Sequence, residues 1–296
     1  MLLAYAQLAL SMALVGANVA VAKVLAAALP VPLVVCLRCA LASLVVLLLL
    51  RWRAGRMPPV PDRRSLLNLL LQAAFGTVLY NLALLAGLRL TTALEGGLVL
   101  ATLPAVVALG SAVLLGERLP GRQWAATALA AGGMGALTLA RESGGGGSLA
   151  GNALVFLGVC GEAAYVLLAK RVAGRLPALA ASFWMQLFST ALLLPLALPG
   201  LGALPALAEP RLAALLVFHS LTASVLCLLL WYAGLRRVPA GLAGVFTACM
   251  PATATLVAVL WLGERMTATH AAGFVLMAAS LLLATWPAAA RREGAR

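Results

Sequence analysis

The chain alternates between apolar runs of about twenty residues and short polar or Gly/Pro-containing breaks. Ten runs can be drawn, over 3–28, 31–50, 66–88, 92–115, 122–139, 149–169, 178–198, 212–235, 240–262 and 269–286. A bilayer core of about 30 Å is crossed by roughly 20 apolar residues of helix, so the pattern predicts ten membrane-spanning helices. Most breaks are short, as expected between neighbouring antiparallel helices. The basic, Pro-rich stretch 51–65 is the exception. The chain opens directly into its first apolar run without a basic leader, which reads as a spanning helix rather than a removed signal.

The pattern repeats. Residues 86–119 return without a gap at 233–266, with 14 of 34 positions identical. Pro104 and Pro251 lie 147 apart, as do Glu117 and Glu264, Lys23 and Lys170, and Pro30 and Pro177. The expected organisation is a first five-helix repeat over 1–143, a flexible GGGGS tether over 144–148, and a second five-helix repeat over 149–296.

Composition agrees with a bilayer as solvent. Hydrophobic residues make up 64% of the chain and charged ones 10%, against roughly 25% charged in soluble domains. The net charge of +13 is spread over short loops, which argues against a nucleic-acid partner. With the N-terminus in the cytoplasm, fifteen Lys and Arg fall on cytoplasmic segments, five fall outside, and Arg38 lies within a span. That bias places both termini in the cytoplasm; the expected location is the cell (inner) membrane. Five spans per half is an odd number, so the second repeat enters the membrane reversed. Inverted repeats of this kind are common among secondary transporters, where two halves exchange conformations around a central site.

Several motifs then stand out. AGLR occurs at 86–89 and 233–236, a proline follows in each next span, and GER recurs at 116–118 and 263–265. In this the chain resembles the ten-helix EamA group of the drug/metabolite transporter superfamily. The resemblance spans nearly the whole chain. It implies export, or in some members import, of small metabolites such as amino acids. It also implies a central cavity lined by the first four helices of each half, with the fifth helices at the periphery. Val15-Gly16 departs from the Trp-Gly of many members.

Polar residues within lipid face the bundle interior or a wet cavity. Glu162 reads either as a proton carrier or counter-charge for a substrate amine, or as a protonated acid bonded to a neighbour or paired with Arg38. Tyr165 shares its helical face, and its repeat mate is Asn18; the two are expected as paired cavity contacts where their helices meet, or as interhelical hydrogen bonds. Arg38 suits a carboxylate or phosphate or a structural role, since many relatives carry an Arg nearby. Gln72, Tyr80 and Asn81 mark a polar side of the third span, and Gln186 and His219 do so in the seventh and eighth. His219 titrates near physiological pH or serves as a bonded filler. Trp184 and Trp231 offer an aromatic wall or interface anchors.

Glu95 reads as a helix cap rather than a transport residue, and Glu117 and Glu264 as caps of the following helix or partners of Arg118 and Arg265. Pro104 and Pro251 are expected to kink helices mid-span and act as hinges. Gly132, Gly133, Gly135 and residues 278–280 give the fifth and tenth helices small faces for packing the halves, or for a homodimer in place of a monomer. The five cysteines follow no metal spacing, and no Walker A, HExxH or GxSxG pattern occurs. No cofactor or metal is therefore expected. The leading function is a metabolite transporter. A membrane scaffold or receptor, and last an intramembrane enzyme, are the alternatives.

Overall fold

A computed structural model gives the fold. It describes residues 2–54, 60–100, 102–116, 121–122, 124–126, 128–129, 148–173, 175–238, 240, 243, 246–247, 249–262 and 268–285. The helices are α1 Leu2–Ala28, α2 Val31–Ala54, α3 Arg63–Leu90, α4 Ala93–Leu100 and α5 Leu103–Leu114. They continue with α6 Leu149–Val172, α7 Ala178–Ala197, α8 Pro210–Leu235, α9 Cys249–Leu262 and α10 Ala268–Thr285. Among the described residues, six helices are long and apolar enough to cross a membrane. Large side chains such as Leu44, Leu48, Val113 and Leu282 point outward, where lipid covers them.

The ends of the helices have identifiable causes. Asp62 caps α3, its Oδ2 accepting from the N–H groups of Arg64 and Ser65 at 3.2 and 3.3 Å. Hydrogen bonds, first that from the Ser65 side chain, hold its pKa below the usual carboxylate value. The cap is thus formed at neutral pH and released only when acid protonates it. Arg89 donates from Nε to Ala26 O at 3.1 Å and from a terminal nitrogen to Leu29 O at 3.1 Å, neutralising the carbonyl end of α1. Lys170 does the same for α8, with Nζ 2.7 Å from Val238 O. Arg89→Ala is expected to cost about 1–2 kcal/mol, read as a fall of roughly 3–6 °C in thermal midpoint. A midpoint within 1 °C of the parent, in the same detergent, would show that these bonds contribute nothing. Gly116 takes a φ of +66° just beyond α5, the left-handed position that ends a helix and that glycine occupies without strain.

Three features differ from the expected pattern. The span expected over 92–115 is two helices, with Pro104 in the first turn of the second. Proline is at home there, because the first-turn N–H groups have no intrahelical partner. Pro104 therefore starts a helix instead of kinking one mid-span, and Pro251 also lies in the first turn of its helix, α9. The seventh span runs on as a 3-10 helix over Leu198–Ala208. Both α3 and α8 contain a π-helical turn, over Ala73–Leu79 and Ser220–Leu226. These two turns are 147 residues apart, the offset of the repeat. Most of the span expected over 122–139 lies outside the described residues, as do Glu117, Glu264, Gly132, Gly133, Gly135 and 144–147 of the tether. Among the described residues, Ser280 Oγ of α10 donates to Ala126 O of that region at 2.7 Å.

Packing between the halves is reciprocal. α1 packs on α8 and α9, while α6, at the position equivalent to α1, packs on α3, α4 and α5. α2 packs on its equivalent, α7. Glycine sets the closest approaches. A Cβ at Gly76 of α3 would lie 2.5 Å from Tyr165 Cβ of α6, and one at Gly161 would lie 2.7 Å from Phe75 O. A Cβ at Gly16 of α1 would overlap Met250 O and Thr253 Oγ1 of α9. Small residues are what permit such backbone contact between membrane helices.

Candidate functional site

The interlocked helices leave a cavity of about 80 Å³ between the halves, room for several waters or a small solute. Asn18, Arg38, Tyr80, Asn81, Glu162, Tyr165, Gln186 and His219 all line it. These residues come from α1, α2, α3, α6, α7 and α8.

The lining also follows the repeat. Val15 and Glu162, Asn18 and Tyr165, Arg38 and Met185, Thr77 and Ser224, Tyr80 and Cys227, and Leu84 and Trp231 are each 147 apart, and every one of these residues lines the cavity. Equivalent positions from both halves thus meet around one space, with different chemistry on each side. Thr77 and Ser224 carry no signal of their own in the sequence, and Cys227 stands there only as one of five cysteines without metal spacing. The offset itself was the available signal, since Cys227 is the mate of Tyr80.

The two π turns shape the walls. A wider turn leaves a carbonyl for a side chain to take. Asn81 Nδ2 donates to Thr77 O at 2.8 Å, and Gln186 Nε2 donates to Ser224 O at 2.9 Å. Thr77 and Ser224 are equivalent positions, so a carboxamide donates to the same carbonyl in both halves; Thr77 O also accepts from the Tyr80 N–H. Ser220 Oγ donates to Arg38 O at 2.8 Å, holding α2 against the π turn of α8.

Arg38 is 7% exposed and its Nε is buried with no hydrogen-bond partner among the described residues. Glu162 is half-buried on the cavity wall. The two make no ion pair with each other, and they are the charged residues among those that line the space. Gln186 Oε1, Tyr165 Oη and Trp231 Nε1 are likewise buried without partners. A buried polar atom left unmet costs about 1–3 kcal/mol, and such a concentration in one cavity calls for an explanation.

Asn18 and Tyr165 both line the cavity, but Asn18 bonds to α8 rather than to Tyr165. Its Oδ1 lies 2.7 Å from His219 Nδ1 and its Nδ2 is 2.9 Å from Thr222 Oγ1. Tyr80 Oη reaches Met250 Sδ of α9 at 3.5 Å. Gln72 is not among the lining residues: it accepts from Tyr232 Oη at 2.6 Å and donates to Asn68 Oδ1 at 2.6 Å. Trp184 packs edge-on to Phe183, leaving Trp231 as the tryptophan of the cavity. Glu95 is architectural. Its N–H donates to Thr92 Oγ1 at 3.0 Å, and its carboxylate accepts from Thr91 Oγ1 at 3.0 Å and from Asn152 Nδ2 of α6 at 3.2 Å.

Comparison with known proteins places this architecture. The EamA-like transporter family matches twice, over residues 2–139 and 149–286. A relative from Bacillus subtilis (strain 168), named an uncharacterized transporter, YetK, is 33% identical over 274 residues, which is 91% of this chain and 83% of the relative. A solved structure, described only as the crystal structure of a protein, superposes with a TM-score of 0.70 at 22% identity, covering 94% of this chain and 95% of the other. That likeness concerns the fold alone. The chain belongs to the EamA-like transporter family, whose members are multi-pass membrane transporters.

Proposed function

We propose that this EamA-like transporter is a secondary carrier that exports small metabolites, amino acids or related compounds, across the cell (inner) membrane by alternating access. Its halves, 1–143 and 149–296, are ten helices in two inverted five-helix repeats with both termini cytoplasmic. The observation that carries the reading is the cavity lined by residues 147 apart. A site shared by equivalent positions of two halves can open to either side as the halves exchange conformations.

In this reading Arg38 receives an anionic group of the solute. Glu162, charged or protonated, couples transport to the proton gradient. Asn18, Tyr80, Asn81, Tyr165, Gln186 and His219 supply polar contacts. The helix starts at Pro104 and Pro251 serve as hinges between inward and outward states. A non-transporting scaffold has no use for a polar cavity at the centre of the bundle, so the lining favours the carrier.

Reconstituted proteoliposomes test the proposal. With a pH gradient imposed, at least one compound of a panel of amino acids and related metabolites is expected to cross faster than in empty liposomes. No movement of any compound, with or without the gradient, would count against it.

A further inference from the structure

The hydrogen bonds around Asn18 have forced directions. Thr222 Oγ1 donates to Phe218 O at 2.7 Å, so toward Asn18 Nδ2, 2.9 Å away, it acts as acceptor. The same amide nitrogen also donates to Leu14 O at 2.8 Å. Both amide hydrogens are thereby used, and Oδ1 is left as an acceptor. His219 Nδ1, 2.7 Å from that oxygen, must carry the proton. A neutral imidazole has one N–H, so Nε2 keeps its lone pair, and Nε2 makes no hydrogen bond among the described residues. Gln186 is fixed in the same way. Its Nε2 donates to Ser224 O at 2.9 Å, a carbonyl that can only accept. The amide cannot be flipped, and Oε1 remains buried without a donor. Glu162 adds a carboxylate on the cavity wall that makes no ion pair among the described residues. Unmet acceptors thus come from α6, α7 and α8 on one cavity.

We propose that Asn18 is a positioning residue that holds His219 as the Nδ1–H tautomer, so that Nε2, Gln186 Oε1 and the Glu162 carboxylate form an accepting wall for a primary ammonium group of the solute. The proposal rests on the reading of the cavity as a solute site. An ammonium brings three donors and no acceptor, and its charge meets Glu162. A carboxylate or phosphate set against these three groups would face acceptors and the like charge of Glu162; Arg38, on the same cavity, is the counter-charge for such a group.

The tautomer can be read without any transport measurement. The chain has two histidines, His219 and His270, so protein labelled with nitrogen-15 in histidine alone gives two imidazole signatures, and His219→Phe identifies the one in question. The native protein is expected to show a protonated Nδ1 and a bare Nε2 at His219. Asn18→Leu is expected to shift the ring toward Nε2–H while leaving His270 unchanged. Propylammonium is expected to move the Nε2 signal of the native protein, and propionate is not. A native His219 found as Nε2–H overturns the inference, as does an Nε2 signal unmoved by propylammonium. If Asn18→Leu does not fold, the measurements on the native protein decide alone. Absent flux with the expected tautomer and ammonium response would sink the carrier reading only, whereas flux with the wrong tautomer would sink this inference only.

Discussion

Glu162→Gln is expected to lower solute flux in proteoliposomes by about 10- to 100-fold and to flatten its response to a pH gradient. The magnitude is that of one hydrogen bond to a charged group, about 1.5–3 kcal/mol, at tenfold per 1.4 kcal/mol. The exchange keeps the side chain's volume and its capacity to hydrogen bond, and removes only its ability to ionise. Glu162 makes no ion pair among the described residues and lies half-buried on the cavity wall, so no ion-pair partner is lost with the change, and Arg38 is left as the charged residue of the lining. The thermal midpoint should therefore stay close to that of the parent. Unchanged flux with unchanged pH dependence would remove Glu162 from the transport step. A large loss of stability would mean that the carboxylate holds the fold instead.

The second large effect is structural. Gly76→Val is expected to cost about 3 kcal/mol or more, beyond the usual range for overpacking of about 1–3 kcal/mol, and to lower binding of any solute. A Cβ at position 76 would lie 2.5 Å from Tyr165 Cβ, 2.6 Å from its Cγ and 2.9 Å from its Cδ2. The clash is with the root of the side chain, which cannot turn away, so α3 or α6 must move. Gly76 lies in the π turn that lines the cavity, and Tyr165 lines it from α6. The displaced helix therefore carries cavity residues with it. Gly202→Ala is the control. Nothing lies within 4 Å of a Cβ there, and its stability is expected to stay within about 0.5 kcal/mol of the parent. Equal midpoints for the two variants would show that the contact between α3 and α6 is softer than these distances imply.

Hydrophobic run length located α1, α2, α3, α6 and α8 to within a few residues, because lipid imposes a length on any helix that crosses it. It did not find the break before Leu103. Proline is compatible with either a kinked helix or the first turn of a new one, and an apolar run does not distinguish them. The π turns were invisible for a related reason. One extra residue in a turn leaves an evenly apolar stretch looking the same. Residues 199–208 fall in a Gly/Pro-containing break between two apolar runs, and Pro and Gly are residues that a 3-10 helix accommodates.

For the site, the rule that polar residues avoid lipid brought Asn18, Arg38, Tyr80, Asn81, Glu162, Tyr165, Gln186 and His219 to one cavity. Gln72, on the polar side of the same span, meets Asn68 and Tyr232 rather than the cavity. Polarity says that a residue needs a partner. It does not say whether that partner is a solute or a neighbouring helix.

The central claim is that two halves of opposite orientation enclose the site, and membrane sidedness tests it most directly. Leu90 and Arg237 are 147 apart, near the ends of α3 and α8, and both are exposed. In a cysteine-free background, single cysteines at these positions are labelled with a membrane-impermeant maleimide in intact cells and in inverted vesicles. The account predicts that Leu90→Cys is labelled from outside and Arg237→Cys from the cytoplasmic side. Labelling of both from the same side would make the repeats parallel and contradict it.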